Sequence, residues 1–339
     1  MFLQSLSLQN FRSYKKGEFQ FADLTLIVGP NTSGKTNIVE AIYLLARGKS
    51  FRADLEREMI EFGQELARVK GFVSGIRLET ILTTGQVNGK SVPGKLFKIN
   101  DVARRMIDFV GNLRVVKFGP EDINIILGSP ARRRGWLDSI LEQTSREYWR
   151  SLSAYQKGIR QRNKLLFLIK EGKASQSQLE FWNRLVIKNG QIITQKRQNL
   201  LDFFNRQWSN LAIFYDKSEI SQERLEKYQE AQLALGVTLV GPHRDDIKFN
   251  FRDRDLALFG SRGEQRMAIL SAKIAELEFV SQQSASRPVL LLDDIFSELD
   301  QEHRREVMAK IDNQQTIITT TDSHLVPEGF LGKMKVINL

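Results

Sequence analysis

The alternation of apolar and polar positions indicates strands at the beginning of the chain. Short runs there either alternate with a period of two or are continuously apolar, and both patterns are typical of β-strands. One segment, residues 36–46, instead places its apolar side chains on a single helical face. Strands are predicted over residues 1–8, 24–28, 67–73 and 76–83, the last two joined by a Ser74-Gly75 turn.

The pattern changes to helical spacing between about residues 120 and 235. Two apolar series at this spacing are separated by Gly172, which predicts a pair of antiparallel helices. We expect this pair to form a stalk or lid. The first series is Leu152, Tyr155, Ile159, Leu166 and Ile169, and the second is Trp182, Leu185, Ile192, Leu200 and Phe203.

Strands and helices alternate again from residue 237 onward. Apolar runs at 289–292 and 316–320 predict buried strands, with a helix over 301–311 between them. The expected fold class is therefore α/β, with a helical lobe inserted into one discontinuous domain. The predicted boundaries are residues 1–118 and 236–339 for the discontinuous domain and residues 119–235 for the insertion.

Composition narrows the function classes. The 339 residues are 41% apolar and 27% charged, as in an ordinary globular protein. The chain has no cysteine and three histidines, which excludes disulfides, argues against a histidine-built metal centre and suits a reducing interior. No apolar run approaches the roughly 18 residues of a membrane helix. Because the first residues also alternate like a strand and not like a signal peptide, we expect a cytoplasmic protein without membrane contact.

A glycine-containing loop stands between a predicted strand and a predicted helix. It has two glycines separated by four residues and followed by a lysine and a hydroxyl residue, which is the phosphate-binding pattern of P-loop NTPases. Backbone N–H groups of such a loop wrap the phosphates, Lys35 reaches the outer phosphates and Thr36 ligates Mg²⁺. The loop residues predicted to bind nucleotide are Gly29, Pro30, Asn31, Thr32, Ser33, Gly34, Lys35 and Thr36.

Two carboxylates, Asp293 and Asp294, follow the apolar run 289–292. They are expected at the carboxyl edge of a buried strand, where ligands of open α/β sheets gather. Asp293 is the predicted Mg²⁺ ligand, and Asp294 is predicted to orient or deprotonate the attacking water. Because aspartate reaches less far than glutamate, we expect slow turnover. The alternative is a solvent-exposed pair that merely ends the strand.

A third motif, residues 261–266, opens a predicted helix. The Ser261 hydroxyl and the Gly263 backbone N–H can reach a γ-phosphate from a helix start. Ser261 followed three residues later by Glu264 is equally a capping box, so the alternative is that these residues only cap the start of the helix. With the aspartate pair downstream, we expect Ser261, Gly263 and Glu264 to close on nucleotide held by a second copy of the chain, so that ATP joins a dimer.

The net charge of +10 favours a polyanionic partner, and residues 130–170 concentrate the excess. This segment holds ten basic and three acidic residues, which predicts contacts to the phosphate backbone of nucleic acid. The alternative is an ordinary solvated face. The ten are Arg132, Arg133, Arg134, Arg146, Arg150, Lys157, Arg160, Arg162, Lys164 and Lys170.

Together these motifs resemble the RecF family of bacterial recombination-mediator ATPases, whose heads belong to the ABC class shared with SMC proteins. Two positions depart from the pattern: Thr32-Ser33 replaces a glycine-containing pair common in relatives, and Arg262 stands where transporters and SMC proteins have glycine. The resemblance spans essentially the whole chain and includes residues 10–14, 29–37, 48–52, 118–122, 128–130, 132–138 and 240–246.

The resemblance implies an ABC-type P-loop ATPase head, a mixed sheet with helices carrying an inserted helical lobe. It implies an ATP- and Mg²⁺-dependent homodimer that binds double-stranded DNA near single-strand/double-strand junctions. Slow, DNA-stimulated ATP hydrolysis would reset this switch, and RecR and RecO would be its partners in loading RecA during DNA repair, replication and the SOS response. By motif match, Lys35 and Asp294 are catalytic, Thr36 and Asp293 hold the metal, and Arg12 and Asn37 join the nucleotide-binding residues.

Three other classes share part of this pattern. Another SMC-like chromosome or defence ATPase would carry the same head motifs. An ABC transporter motor would also carry them but would need membrane subunits and no basic helical insertion. A small-molecule kinase would need only a compact chain between the phosphate loop and the aspartate pair.

Overall fold

The computed structural model describes residues 1–284, 286–310, 314–327 and 329–339. The strands are β1 Leu3–Phe11, β2 Tyr14–Gln20, β3 Leu24–Val28, β4 Leu66–Val73, β5 Ile76–Thr83, β6 Gln86–Val87, β7 Lys90–Ser91, β8 Lys95–Ile99, β9 Val102–Arg104, β10 Val115–Phe118, β11 Leu211–Asp216, β12 Asp246–Phe251, β13 Arg254–Asp255, β14 Val289–Asp293, β15 Thr316–Thr320 and β16 Lys335–Asn338. The helices are α1 Lys35–Arg47, α2 Met106–Phe109, α3 Asn124–Leu127, α4 Pro130–Thr144, α5 Arg146–Lys170, α6 Leu179–Asn205, α7 Gln222–Lys227, α8 Gln229–Leu235, α9 Leu256–Phe259, α10 Arg262–Gln282 and α11 Gln301–Lys310. Ile311, the predicted end of α11, lies outside the described residues.

The chain forms two compact units, Met1–Asp122 with Glu276–Leu339, and Ile123–Ala275. The second unit ends at Ala275, beyond the predicted end of the insertion at residue 235. The reason is that β11 pairs antiparallel with β12, so β12 and the residues after it belong to the second unit. The domain boundaries at 118/119 and 235/236 stay a prediction. Within the described part of the chain, no helix is long and apolar enough to cross a bilayer.

A five-stranded parallel sheet in the first unit has the order β10-β14-β15-β3-β16. Strands β14 and β15 are buried along their whole length, as expected of parallel strands covered on both faces. Because β15 lies between β14 and β3, the carboxyl ends of these three strands are neighbours at one edge of the sheet. This edge receives the phosphate loop and the aspartate pair.

A six-stranded antiparallel sheet, in the order β2-β1-β4-β5-β8-β9, completes the first unit. Helix α1 packs against strands of both sheets, and one apolar core contains residues from all three. Ile38, Val39, Ile42 and Leu45 of α1 are fully buried, so the helix is apolar on most of its circumference and belongs inside the unit. This packing fixes the start of α1 at the edge of the parallel sheet.

The predicted helix pair is confirmed as α5 and α6, which pack antiparallel in the second unit. At 25 and 27 residues they are roughly 37 and 40 Å long. Their backbones approach closely at Gly158, where a Cβ atom would lie 2.5 Å from Leu185. A larger residue there would require the Leu185 and Val186 side chains to shift.

The buried seam of α6 differs from the predicted one. Leu179, Val186, Ile193 and Leu200 repeat every seven residues and are buried, whereas Trp182, Leu185, Ile192 and Phe203 are only half-buried. The seam also contains Gly190 and Arg197, which hydrophobicity alone does not mark as core positions. The apolar series therefore predicted the helix correctly but not the face that it buries.

Candidate functional site

The phosphate loop follows β3 and ends at Gly34, which has the left-handed φ of 100°. A Cβ atom at this position would lie 2.6 Å from the Tyr14 hydroxyl oxygen, so both the backbone and the space require glycine. Lys35 is buried, and its Nζ donates hydrogen bonds to the carbonyl oxygens of Gly29 (2.6 Å) and Pro30 (2.8 Å). The lysine thus lies across the loop where a phosphate would be held.

Two hydroxyl groups near the loop fit a phosphate-binding cradle. The Ser33 Oγ and the Tyr14 hydroxyl oxygen are buried and have no hydrogen-bond partner among the described residues. Burial raises the pKa of Tyr14 to about 12, so its hydroxyl keeps its proton. Buried polar groups without a hydrogen-bond partner are costly. Ligand oxygens that accept hydrogen bonds from these two hydroxyls are therefore favoured at this loop.

The predicted metal residues meet at the carboxyl edge of the sheet. The Thr36 hydroxyl lies 3.2 Å from the Asp293 Oδ1, and the Thr319 hydroxyl donates to the same oxygen at 2.7 Å. Burial raises the pKa of Asp293, while the hydrogen bond from Thr319 and the positive charge of Lys117 oppose the rise. One carboxylate and one hydroxyl are a fitting protein contribution to Mg²⁺, which takes its remaining ligands from phosphates and water.

The second carboxylate is held in an unusual backbone conformation. Asp294 has left-handed angles of φ 53° and ψ 27°, and its backbone N–H donates to the Thr319 hydroxyl at 3.0 Å. Its Oδ1 is buried and has no hydrogen-bond partner in the described part of the chain. Burial raises the pKa of Asp294; the positive charge of Lys35 lowers it and the negative charge of Glu298 raises it further. A carboxylate with an open oxygen and a raised pKa is suited to accept a proton from water.

The sequence did not indicate Lys117 as a site residue. It lies in β10, is buried, and its Nζ is 2.6 Å from Glu121 and 4.5 Å from the centre of the Phe51 ring. Its charge lowers the pKa of Asp293. The available signal in the sequence was a lysine within the otherwise apolar run 115–118. A buried cation needs nearby carboxylates, so this position indicated a charged cluster.

Two further predicted nucleotide residues have protein partners. The Arg12 guanidinium forms a two-point ion pair with the fully buried Glu40, at 2.7 and 2.8 Å, and also donates to the Glu58 carbonyl. The Asn37 side chain donates to the Ser13 hydroxyl at 2.9 Å. Arg12 therefore ties α1 to the sheet, and nucleotide contacts of both residues stay a prediction.

The Ser261 motif lies in the second unit and forms the predicted capping box. The Ser261 backbone N–H donates to Glu264 Oε2 at 2.7 Å, and the Glu264 N–H donates to the Ser261 Oγ at 3.3 Å. Ser261, Gly263 and Glu264 are all exposed, and a Cβ atom at Gly263 would meet open space. The motif is thus a capped helix start on an exposed surface, and its contact with nucleotide stays a prediction.

Three of the ten basic residues in 130–170 are bound within the protein. Arg133 pairs with Asp246 at 2.6 and 2.9 Å, and Arg134 donates to the Asp245 carbonyl at 2.7 Å. Arg162 is 2% exposed, and burial lowers its pKa to about 10. Arg133 and Arg162 are taken up by contacts within the fold, and Arg134 uses one of its nitrogens there, so fewer of the ten side chains are open to phosphates than the sequence predicts.

The motif at 240–246 takes part in a buried ion network of the second unit. Arg197, 2% exposed, donates to Asp138 at 2.8 Å, to Asp245 at 3.0 Å and to the Pro242 carbonyl at 2.8 Å. The hydroxyls of Tyr148 and Tyr215 donate to the same two carboxylates. We call Arg197, Asp138, Asp245 and these two tyrosines the Arg197 network. Pro242 and Asp245 therefore give the motif at 240–246 a structural role in the second unit.

His243, in the same motif, has a fixed tautomer. Its Nε2–H donates to the Thr238 carbonyl at 3.1 Å, because that oxygen can only accept, and its Nδ1 accepts from the Tyr155 hydroxyl at 2.7 Å. Burial lowers the pKa of His243 from 6.5 to about 4; the hydrogen bond to Thr238 and the charge of Asp245 oppose this fall, and Arg244 and Arg134 add to it. The imidazole is therefore neutral at pH 7.

Replacing His243 with glutamine should flatten the pH dependence of stability. The unfolded chain binds a proton at His243 below pH 6.5 and the folded chain only near pH 4, so the wild type loses stability as pH falls through this window. The loss due to His243 is about 2 kcal/mol between pH 7.5 and 5. Urea denaturation followed by tryptophan fluorescence measures it. Equal pH dependence of the two proteins would show that the imidazole is not buried neutral.

A strand–loop–helix phosphate cradle beside a threonine–aspartate pair, at the carboxyl edge of a parallel sheet, defines a P-loop ATPase head. Comparison with known proteins narrows this class. The chain matches the RecF/RecN/SMC N terminal domain family over residues 2–330. It is 33% identical over 371 residues to the DNA replication and repair protein RecF of Bacillus cytotoxicus, covering 100% of this chain and 97% of the relative.

Comparison with solved structures indicates the same family. The chain superimposes on a structure of the recombination mediator protein RecF-ATPrS with a TM-score of 0.88 at 31% identity, covering 100% of this chain and 96% of that one. A RecF-ATP structure gives a TM-score of 0.86 at 33% identity over 95% of this chain and 92% of that one. An Smc head domain from Pyrococcus yayanosii, at 14% identity and a TM-score of 0.52, shows the shared fold alone. The chain belongs to the RecF family, and the predicted fold class, an ABC-type head with an inserted helical lobe, is confirmed.

Proposed function

We propose that this protein is an ATP-dependent DNA-binding switch of DNA replication and recombinational repair. ATP and Mg²⁺ bring two copies together on double-stranded DNA near single-strand/double-strand junctions, and slow hydrolysis separates them. RecR and RecO are the proposed partners, and RecA loading is the proposed outcome. Support comes from full-length similarity to RecF proteins and from two similar solved structures, RecF-ATP and RecF-ATPrS, of the recombination mediator in the RecFOR pathway.

One observation carries the nucleotide part of the proposal. Three neighbouring strand ends bring together the phosphate loop, the Thr36–Asp293 pair and the open carboxylate of Asp294. Bound Mg²⁺ would polarise the terminal phosphate, with Thr36 and Asp293 as its protein ligands. Lys35 leaves the Gly29 and Pro30 carbonyls to neutralise phosphate charge, and Asp294 receives the proton of the attacking water.

An exposed apolar pair supports the proposed dimer. Leu258 and Phe259 are 75% and 71% exposed. Only Gly260 separates them from Ser261. Two adjacent large apolar side chains beside an exposed capping box are typical of a surface that a partner covers. In the proposal this partner is a second copy of the chain, whose nucleotide contacts Ser261 and Gly263.

Sizing by light scattering, with and without ATP and duplex DNA, tests the proposal. We expect a monomer without nucleotide and a dimer with ATP, and Phe259→Glu should prevent the dimer while leaving ATP binding to the monomer intact. The matched control is Phe62→Glu, at a fully exposed phenylalanine of the first unit. A wild type that stays monomeric with saturating ATP and DNA would contradict the proposal.

The proposed DNA surface is the exposed basic face of α5. Arg146, Arg150, Lys157 and Lys164 are exposed and spaced by four, seven and seven residues, so they share one helix face roughly 27 Å long. These four residues form the α5 stripe. Its length matches several successive phosphates of a duplex, because each strand carries one phosphate per about 3.4 Å of helix axis.

Neutralising half of the α5 stripe should weaken DNA binding in a salt-dependent way. In Lys157→Ala/Lys164→Ala we expect the slope of log K against log salt concentration to become shallower by about 2, because two phosphate contacts are lost. Fluorescence anisotropy with a labelled duplex over a salt series measures the slope. Lys248→Ala, at an exposed lysine on β12, is the control and should leave the slope unchanged. An unchanged slope in the double variant would place the DNA elsewhere.

A further inference from the structure

A ligand-sized cavity lies entirely among residues of the second unit. It has a volume of about 310 Å³ and is bounded by α4, α5, α6 and the turn at 242–244. One wall is apolar, formed by Leu152, Ile159, Ile193 and Pro242. Ligand sites typically combine such a wall with a few polar groups, and this volume is at the small end of their range of roughly 300–1,000 Å³.

The charged groups of the cavity leave a positive excess. Asp138 and Arg197 both line it, but they are paired with each other at 2.8 Å and contribute no net charge. His243 also lines it and is neutral, since burial lowers its pKa to about 4. The remaining charges are those of Arg134 and Arg160.

Both arginines have donors to spare. Arg134 uses one nitrogen, Nη1, on the Asp245 carbonyl, and its Nε and Nη2 have no partner among the described residues. Arg160 is exposed and forms no hydrogen bond or ion pair with any described residue. Burial and the nearby Arg197 lower the pKa of Arg134, and the charges of Asp246, Asp138 and Asp245 oppose the fall. A bound anion would accept the spare N–H groups of the two arginines.

We propose that this cavity binds one nucleotide through its phosphate monoester. The phosphate accepts hydrogen bonds from Arg134 and Arg160, and the sugar and base lie on the apolar wall. The volume admits one nucleotide and not a longer strand. Such a phosphate has two sources, a free mononucleotide or the phosphorylated terminal nucleotide of a DNA strand, and the experiment separates them.

Binding of dAMP to the full-length Lys35→Ala protein tests the proposal. The substitution removes the lysine of the phosphate loop. Binding of dAMP to this variant therefore tests the cavity separately from the ATP switch. By isothermal titration calorimetry we expect saturable dAMP binding and at least tenfold weaker binding of deoxyadenosine, which lacks the phosphate. Adding Arg160→Ala should weaken dAMP binding at least tenfold, and Arg160→Lys should restore part of it.

The controls address folding and unspecific charge. Lys188→Ala removes one exposed positive charge from α6 outside the cavity and should leave dAMP affinity unchanged. The urea midpoint, followed by tryptophan fluorescence, should be the same in all Arg160 variants. No saturable dAMP binding, or equal affinity in Arg160→Ala, would overturn the proposal.

Duplexes that differ only in a 5′-phosphate or a 5′-hydroxyl identify the source. A preference for the phosphorylated end that Arg160→Ala abolishes supports the proposal and assigns the cavity to a DNA terminus. Equal affinity for both ends, together with saturable dAMP binding that depends on Arg160, supports it and assigns the cavity to a free mononucleotide.

Discussion

Replacing Arg197 with methionine is expected to lower the free energy of unfolding of the second unit by about 3–5 kcal/mol. Methionine retains the volume but leaves Asp138 and Asp245 without their common cation, and Asp245 is 1% exposed. Removing one partner of a buried ion pair is strongly destabilising because the other charge stays buried. The four tryptophans of the chain, Trp136, Trp149, Trp182 and Trp208, all lie in this unit, so urea denaturation followed by fluorescence reports on it directly.

A surface pair on the same helix provides the control. Arg184 and Glu180 on α6 are 3.3 Å apart with side chains 71% and 73% exposed, and Arg184→Met should change stability by less than about 1 kcal/mol. If Arg197→Met were as mild as this control, the Arg197 network would not hold the second unit together. A triple variant, Arg197→Met with Asp138→Asn and Asp245→Asn, should recover part of the loss because no unpaired charge remains.

Local patterns were enough to predict where the phosphate loop and the aspartate pair lie in the fold. The loop at 29–36 follows β3 and begins α1, and Asp293 ends β14, as their sequence contexts indicated. These predictions succeed because continuous apolar runs mark buried parallel strands, and parallel strands bring their carboxyl ends to one edge. Nothing in the sequence showed the left-handed conformation of Asp294 or the contact of Tyr14 with Gly34, because both depend on tertiary packing.

The helical lobe was predicted less well, for a physical reason. Arg162 and Arg197 have the spacing and charge of solvated helix residues, yet both are 2% exposed. Their burial is stabilised by partners far along the chain: Asp138 and Asp245 are 59 and 48 residues from Arg197. Periodicity shows which side chains share a face but not whether an ionic group on that face meets a buried partner.

Replacing Asp294 with asparagine is expected to reduce ATP hydrolysis by at least about 100-fold while ATP-bound dimers persist. Loss of a general base typically costs 10²–10⁴-fold, and the amide cannot accept the proton of the attacking water. Asparagine is preferable to alanine here because it tolerates the left-handed backbone at φ 53°, so the loop and its contact with Thr319 are preserved. Phosphate release measures hydrolysis, and light scattering with ATP measures the dimer.

A substitution at the neighbouring Glu298 tests whether Asp294 acts as a base or only positions other groups. The negative charge of Glu298 raises the pKa of Asp294, so Glu298→Gln should lower that pKa and move the acid limb of the hydrolysis rate to lower pH. Asp294 must be ionised to accept a proton, and a lower pKa keeps it ionised further into the acid range. If the Asp294→Asn protein hydrolysed ATP within about threefold of the wild-type rate, another group would accept the proton of the attacking water. If the acid limb stayed at the same pH in Glu298→Gln, the pKa of Asp294 would not determine the position of that limb.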